Sequence, residues 1–221
     1  MGSPLGARKE RAQATVAGLR ALYPDAHCEL DFKSPLQLAV ATILSAQCTD
    51  KRVNVVTKAL FRRCKTARDF AEIPVPELET LIRSTGFFRL KAKSIRELAR
   101  ALLERFDAKM PKTMKELLTL RGVARKTANV ILGTAFGLSE GIVVDTHMKR
   151  VAYRLGLTAK TNPVQVERDL MACVDPADWI FFGHAMVWHG RRACFARSPV
   201  CDFCPLAAFC PKKGVRSCAS S

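Results

Sequence analysis

Apolar residues recur along the chain every three to four positions, the period of a helix that packs one face on a core. This pattern predicts helices at 8–22, 35–47, 50–63, 76–84, 94–106, 111–120, 124–132 and 146–155, one from 163 and one over 178–190. Residues 1–7 are predicted to be disordered, and the β-like run 142–144 is too short to form a sheet. The chain is therefore predicted to be all-α.

The segment 35–47 is apolar on almost every side, which predicts the buried central helix of a domain. Ser34, Pro35 and Gln37 give it a capping residue, a proline at the first position and an amide three residues after the cap. Gln47 then ends the helix, where it is predicted to be a solvent-facing amide or a residue with a function.

The stretch 120–132 begins as a turn and continues as a helix. Gly122 permits a backbone with positive φ, and the unpaired N–H groups at a helix start bind phosphate. With the helix before it, the stretch predicts a helix–hairpin–helix unit. The helix dipole favours the neutral, nucleophilic amine of Lys126 in the first turn. Composition alone favours an ordinary solvent-exposed lysine instead.

Asp145 follows the short apolar run 142–144 and precedes a helical pattern. An aspartate at this position is typical of a helix N-cap. The same position points a carboxylate out of the helix end, where it could also face a substrate. The sequence leaves both interpretations open.

The formal net charge is +16, which indicates a polyanionic partner, nucleic acid first and an anionic membrane second. Between Arg83 and Lys126, thirteen Lys or Arg stand against four acidic residues, a net charge of +9. This basic tract predicts a nucleic-acid interface. Within it, Phe87 and Phe88 follow a glycine; they are either core residues or include an apolar wedge that enters a base stack.

The nine cysteines are an odd number, and no hydrophobic leader precedes them, so the expected compartment is reducing: the cytoplasm or an organelle interior. The apolar run 36–46 is too short to span a bilayer. Four cysteines lie within seventeen residues in the spacing C-x6-C-x2-C-x5-C: Cys194, Cys201, Cys204 and Cys210. The other five are interpreted as buried or incidental: Cys28, Cys48, Cys64, Cys173 and Cys218.

Thiolates packed this closely are ligands for a soft metal, either tetrahedral zinc or an iron–sulfur cluster. Spacing alone does not separate the two, and the greater frequency of zinc sites favours zinc. Arg197 lies within the four-cysteine stretch, so the loop is itself basic.

The chain resembles the endonuclease III family of helix–hairpin–helix DNA glycosylases from Ser34 to Cys210. The motifs that carry the resemblance are Ser-Ala-Gln-x-Thr-Asp from Ser45, Leu-x-Gly-Val-x-Arg-Lys-Thr-Ala-Asn-Val from Leu120, Val-Asp-Thr-His from Val144, and the cysteine spacing. The resemblance implies a two-domain fold: a six-helix domain over 28–138, and a cluster domain built from 1–27 and 139–221.

The resemblance also implies a [4Fe-4S] cluster on Cys194, Cys201, Cys204 and Cys210, against the zinc assignment. It implies a monomer in the bacterial cytoplasm, associated with the nucleoid, that removes oxidised pyrimidines from double-stranded DNA and cleaves the strand at abasic sites. The matching catalytic residues are Lys126 as nucleophile and Asp145 as carboxylate. The residues expected to contact DNA are Gln47, Phe87, Arg121, Gly122, Val123, Ala124, His147 and Arg197.

Two positions depart from the family hairpin: Arg121 replaces a proline and Ala124 replaces a second glycine. If that glycine needs positive φ, alanine costs ~1 kcal/mol and the hairpin is reshaped. Arg121 could then compensate with a new phosphate contact. A weakly active or non-catalytic relative that binds DNA damage is therefore the alternative function.

Two further alternatives are less well supported by the residues. Adenine-removing relatives place a glutamate before Gln47, and this chain has no acidic residue between Asp31 and Asp50. An electron carrier would use the cysteines but would leave Lys126, Asp145 and the basic tract unexplained.

Overall fold

The computed structural model describes residues 4–215, and this part of the chain contains eleven α-helices and no β-strand. The helices are α1 Pro4–Leu22, α2 Pro35–Leu44, α3 Asp50–Arg63, α4 Ala67–Glu72, α5 Val75–Ile82, α6 Phe88–Arg105, α7 Met114–Leu117, α8 Arg125–Phe136, α9 Thr146–Arg154, α10 Pro163–Met171 and α11 Trp179–Arg192. The prediction of an all-α fold is confirmed. None of the described helices is long and apolar enough to cross a membrane.

Contacts divide the chain into two units. One unit is residues 29–140, and the other joins the N-terminal segment through Cys28 to the segment that starts at Gly141. The domain bounds 28–138 and 1–27 with 139–221 lie near this division, and their assignment as functional domains stays a prediction.

The unit 29–140 is organised around α2, as the sequence predicts. Seven of its ten residues are buried. The Ser34 side chain accepts a hydrogen bond from the Gln37 amide at 3.2 Å, and the Gln37 side chain accepts one from the Lys33 amide at 2.8 Å. The predicted helix start is therefore confirmed, and its apolar surface becomes the core onto which α3, α6 and α8 pack.

The other unit has its own core between α1, α9, α10 and α11. Leu19, Met148, Val151 and Phe182 are fully buried within it. Cys194, Cys204 and Cys210 pack against the same cluster. The cysteine-rich loop is thus anchored on the hydrophobic core of this unit.

The observed elements differ from the sequence prediction in several places: α2 ends at Leu44 rather than at residue 47, and α7 covers Met114–Leu117 rather than 111–120. Helix α1 begins at Pro4, so the expected disorder is wrong for residues 4–7; residues 1–3 and Cys218 lie outside the described part of the chain. Helix α4 was not predicted, although Thr66 and Asp69 form a capping box at its start. Helix α6 begins at Phe88, six residues before the predicted start, because the cap position is occupied by Phe87 rather than by a recognisable capping residue.

Candidate functional site

The predicted hairpin is present between α7 and α8. Leu120 and Val123 are buried on either side of Gly122, which adopts φ +81°, and the Val123 amide donates to the Leu120 carbonyl at 3.1 Å. Positive φ at Gly122 is what the sequence predicts. The two apolar side chains fix the turn to the core while its backbone stays at the surface.

Ala124 corrects the expectation of a strained hairpin. It lies at φ −85° and ψ 171°, an extended conformation that alanine adopts without strain. The prediction that the missing second glycine costs ~1 kcal/mol is therefore wrong. Ala124 also offers no side-chain hydrogen bond to the start of α8, and the first turn contains no acidic residue. The helix start therefore keeps the amide donors and the positive dipole end that attract a phosphate.

Replacing Gly122 by alanine is expected to lower the free energy of unfolding by more than the ~1–2 kcal/mol that positive φ alone costs. A Cβ there would lie 3.1 Å from the Ser94 Cβ and 3.2 Å from the Ile43 Cδ1. Gly137→Ala is the matched control, because Gly137 has φ +66° with nothing within 4 Å of the added atom. Urea unfolding followed by circular dichroism measures both. Equal losses in the two variants would contradict the packing contribution at Gly122.

Lys126 is the second residue of α8, and it is exposed. Its amine is therefore accessible to a substrate at the uncapped helix start. An ordinary solvated lysine would be equally exposed, so its role as the nucleophile stays a prediction.

Arg121 does not project alone from the turn. Its Nε lies 3.1 Å from the Glu97 Oε2 on α6, and both side chains are partly exposed. Exposed ion pairs of this kind contribute little, so a phosphate can displace the carboxylate at small cost. Contact of Arg121 with DNA stays a prediction.

Gln47 and Phe87 share two unusual properties. Both are exposed, and both have left-handed backbones, with φ +53° for Gln47 and φ +47° for Phe87. The Phe87 side chain is 62% exposed, so the alternative that it is a core residue is wrong. Leu90, which the sequence did not single out, is 63% exposed on the following turn. Non-glycine residues held at positive φ with exposed side chains are typical of functional positions.

The basic tract is not uniformly a surface for DNA. Lys91 is only 5% exposed and donates two hydrogen bonds to backbone carbonyls. Arg96 donates to the Ala71 carbonyl at 3.2 Å. The net charge of +9 therefore overestimates the positive charge that this tract presents to DNA, because at least one of its cations is inside the fold.

Asp145 caps α9, as the sequence predicts. Its Oδ1 accepts a hydrogen bond from the Met148 amide at 2.8 Å. This bond engages only one of the two carboxylate oxygens, so capping and a role at a substrate are compatible. Capping fixes the carboxylate to the helix end, and the catalytic role stays a prediction.

His147 is held by Arg150, a residue that sequence reasoning missed. The Arg150 Nη2 lies 3.2 Å from the His147 Nδ1 and donates to the Gly190 carbonyl at 2.8 Å, and its Nε donates to the Cys194 carbonyl at 3.1 Å. Burial lowers the pKa of the Arg150 guanidinium. Arg150 thereby joins α9 to α11 and to the cysteine loop.

Gly190 permits the close approach of α9 and α11. A Cβ added there would lie 2.9 Å from the His147 Cβ and 3.3 Å from the Arg150 Nη2. We expect Gly190→Ala to lower the free energy of unfolding by about 1–3 kcal/mol, because one helix must shift. Gly183→Ala is the control on the same helix: its Cβ meets nothing within 4 Å, so it should stabilise the protein by about 0.5–1 kcal/mol.

Thermal and urea unfolding of the two alanine variants test this contrast. The same sign of change in both would show that the approach of the two helices is not limited by Gly190.

Cys194, Cys201, Cys204 and Cys210 line one cavity, so the structure brings the four predicted ligands together. His189 and Arg154 line it as well. Among residues 4–215, no group of three or more His, Cys, Asp or Glu side chains is arranged to hold a metal ion. What the structure shows of the four predicted ligands is that they share one cavity.

Two buried side chains contact these sulfurs. The Arg154 Nη1 donates to the Cys194 Sγ at 3.3 Å and to the Phe195 carbonyl at 2.6 Å, and its Nη2 donates to the Ala196 carbonyl at 2.9 Å. The His189 Nε2 lies 3.6 Å from the Cys204 Sγ. Sequence reasoning missed both residues, because neither belongs to the cysteine motif.

Burial raises the pKa of the Cys204 and Cys210 thiols. Four thiolates in such a cavity require a cationic group to offset their charge.

Arg197 is exposed on the same loop, as expected for a residue that contacts a partner.

Comparison with known proteins places this geometry in a class. Residues 40–176 match the family described as HhH-GPD superfamily base excision DNA repair protein. The endonuclease III of Synechocystis sp. is 53% identical over 94% of this chain and 94% of its own. A solved non-covalent endonuclease III–DNA complex has a TM-score of 0.88 and 41% identity, and the match covers 92% of this chain and 95% of that one. A trapped endonuclease III–DNA covalent intermediate has the same TM-score and identity, over 92% and 96%.

The helical fold, the hairpin and the family match define a helix–hairpin–helix protein of base excision DNA repair. Relatives that match almost the full length narrow the assignment further. This chain belongs to the endonuclease III family.

Proposed function

We propose that the protein is a bifunctional DNA glycosylase and AP lyase that removes oxidised pyrimidines from duplex DNA and cleaves the strand 3′ to the abasic site. The observation that carries the proposal is the exposed Lys126 at an uncapped helix start, directly after the Gly122 turn. The solved relatives include one bound to DNA and one trapped in a covalent intermediate with DNA. An amine nucleophile accounts for both steps of such a reaction.

In the first step the neutral Nζ of Lys126 attacks C1′ of the damaged nucleotide. The bond between C1′ and the base breaks, and the base leaves with the bonding electron pair and takes up a proton. The sugar ring opens to a Schiff base between C1′ and Nζ. Loss of a C2′ proton then expels the 3′ phosphate, and hydrolysis of the Schiff base releases the lysine.

Asp145 is the carboxylate of this reaction. Its Oδ1 is fixed by the Met148 amide, which leaves Oδ2 to accept a proton from the lysine or to stabilise positive charge on the sugar. Both roles require an ionised carboxylate that is held in one orientation by its helix.

Gln47 and Phe87 fill the space that the damaged base leaves when it turns out of the duplex. Extrusion of a base is needed because no side chain reaches C1′ within the stack. The two residues are exposed and have left-handed backbones, which suits an amide that replaces a base and a ring that enters between base pairs.

The remaining DNA contacts hold the phosphate backbone. The amides of Gly122 and Ala124 and the start of α8 bind phosphate on one unit, while the buried Val123 side chain holds the turn in place. Arg121 on that unit, and His147 and Arg197 on the other, add polar contacts. Exposed cations of the basic tract supply the long-range attraction.

A [4Fe-4S] cluster on Cys194, Cys201, Cys204 and Cys210 fits the donor set. Four cysteines that line one cavity supply the complete thiolate set of such a cluster. The cluster would cross-link the loop 194–210, and Arg154 and His189 contact two of its cysteines.

The proposal includes a monomer that acts in the bacterial cytoplasm, where duplex DNA with damaged pyrimidines or abasic sites is the partner. The domain that binds the cluster comprises 1–27 and 139–221, and the six-helix domain 28–138 carries the hairpin.

A single-turnover assay on a duplex with one thymine glycol tests the proposal, with borohydride added to trap the Schiff base. We expect base release, strand cleavage and a covalent protein–DNA adduct. A duplex that is bound but keeps its base and both strands would establish a damage-binding protein instead. Strand cleavage without an adduct would remove lysine from the role of nucleophile.

A further inference from the structure

A buried ammonium group links the two segments that carry Gln47 and Phe87. Lys91, on the first turn of α6, is 5% exposed. Its Nζ donates to the Leu44 carbonyl and to the Thr85 carbonyl, each at 2.8 Å. Burial lowers the pKa of this amine.

Each acceptor lies at the end of a helical segment. Leu44 is the last residue of α2, and Thr85 is the last residue of the 3-10 turn Arg83–Thr85. Carbonyls at these ends have no partner within their own helix and carry the negative end of its dipole. Leu44 and Thr85 are buried, so Lys91 supplies hydrogen bonds that water cannot.

Each acceptor also lies just before an exposed residue with a left-handed backbone. Gln47 follows Leu44 by three residues, and Phe87 follows Thr85 by two. A non-glycine residue keeps such a conformation only where its surroundings hold it. The ammonium ties both turns to one point and so limits how far they can move apart.

We propose that Lys91 is a positioning residue that sets the separation of the Gln47 and Phe87 turns, so that both side chains enter the duplex at the same damaged site. The inference rests on the proposed roles of those two residues. Lys91 itself touches no nucleotide. It acts through pre-organisation, because turns fixed before binding lose less entropy when DNA arrives.

The proposal separates Lys91 from the phosphate-binding cations around it. A lysine that neutralises a phosphate changes the salt dependence of DNA binding by about one counterion. Lys91 is inside the fold, so its loss should leave the salt slope unchanged. Lys93, on the same helix with a side chain 60% exposed, is the matched control.

The experiment compares Lys91→Met with Lys93→Met in the full-length protein. The readout is the ratio of affinities for a duplex with a tetrahydrofuran abasic analogue and for the same duplex undamaged. We expect Lys91→Met to lower this ratio by about tenfold at an unchanged salt slope. Lys93→Met should weaken binding to both duplexes alike and leave the ratio unchanged.

A second comparison tests whether Lys91 acts through the two turns. In a Gln47→Ala/Phe87→Ala background, adding Lys91→Met should lower the ratio no further, because residues that act as one unit are not additive. A full additional tenfold loss in that background would overturn the inference.

Failure of the inference and failure of the proposed function are distinguishable. If Gln47→Ala and Phe87→Ala leave the ratio unchanged, the proposed roles of those two residues are wrong. If they lower it and folded Lys91→Met does not, the positioning role of Lys91 is wrong. Should Lys91→Met not fold, Lys91→Gln replaces it: its amide is polar enough for the buried site but one bond too short to reach both carbonyls, so the same outcomes decide.

Discussion

Lys126→Ala is expected to abolish strand cleavage at an abasic site and the borohydride-trapped adduct, a loss on the order of 10³-fold or more in single-turnover rate. The physical reason is that no Schiff base forms without the amine, and elimination of the 3′ phosphate depends on that Schiff base. Affinity for the abasic duplex should change little, because the hairpin amides, Gln47 and Phe87 remain.

Lys115→Ala is the control for the loss of one positive charge on the hairpin, since Lys115 is exposed on α7. It should keep cleavage and trapping at wild-type rates. Equal loss of activity in the two variants would assign the effect to charge alone. Persistent trapping in Lys126→Ala would identify a different amine as the nucleophile.

The second large effect concerns the cysteine loop. Cys204→Ala is expected to remove the iron and the brown visible absorption, and to lower the melting temperature by roughly 10 °C or more. The reason is that the loop 194–210 then lacks its cross-link, because three cysteines no longer complete the ligand set. Metal analysis, absorbance and thermal unfolding of freshly purified protein measure the three quantities.

Cys28→Ala is the control, because Cys28 is half-buried and lies outside the loop. It should leave the iron content unchanged. Colourless wild-type protein with one zinc ion would contradict the [4Fe-4S] assignment and restore the zinc alternative that spacing alone favours.

The fold was predictable where local sequence signals agree with packing. The start of α2 carries a cap, a proline and an apolar face, and it was predicted at the observed residue. The start of α6 was missed because Phe87 holds the cap position in a left-handed conformation and Gly86 before it has φ +71°. No propensity argument identifies a phenylalanine cap, since its conformation is imposed by the surrounding fold.

The candidate site was predictable for residues whose chemistry is visible in their type and spacing. The positive φ of Gly122 and the capping by Asp145 are both confirmed. The expectation of strain at Ala124 is wrong. The family motif alone does not show which of its two glycine positions requires positive φ. Lys91 was counted as a DNA-facing cation because backbone carbonyl acceptors leave no trace in a sequence.

The discontinuous unit has a consequence for synthesis on the ribosome. Helix α1 is translated before α9 and α11, yet these two later helices supply the core against which its Leu19 packs. At 5–20 residues per second, α11 emerges on the order of ten seconds after α1. During that interval the intervening unit 29–140 can fold alone, while the nascent N-terminal helix keeps an apolar surface that chaperones recognise.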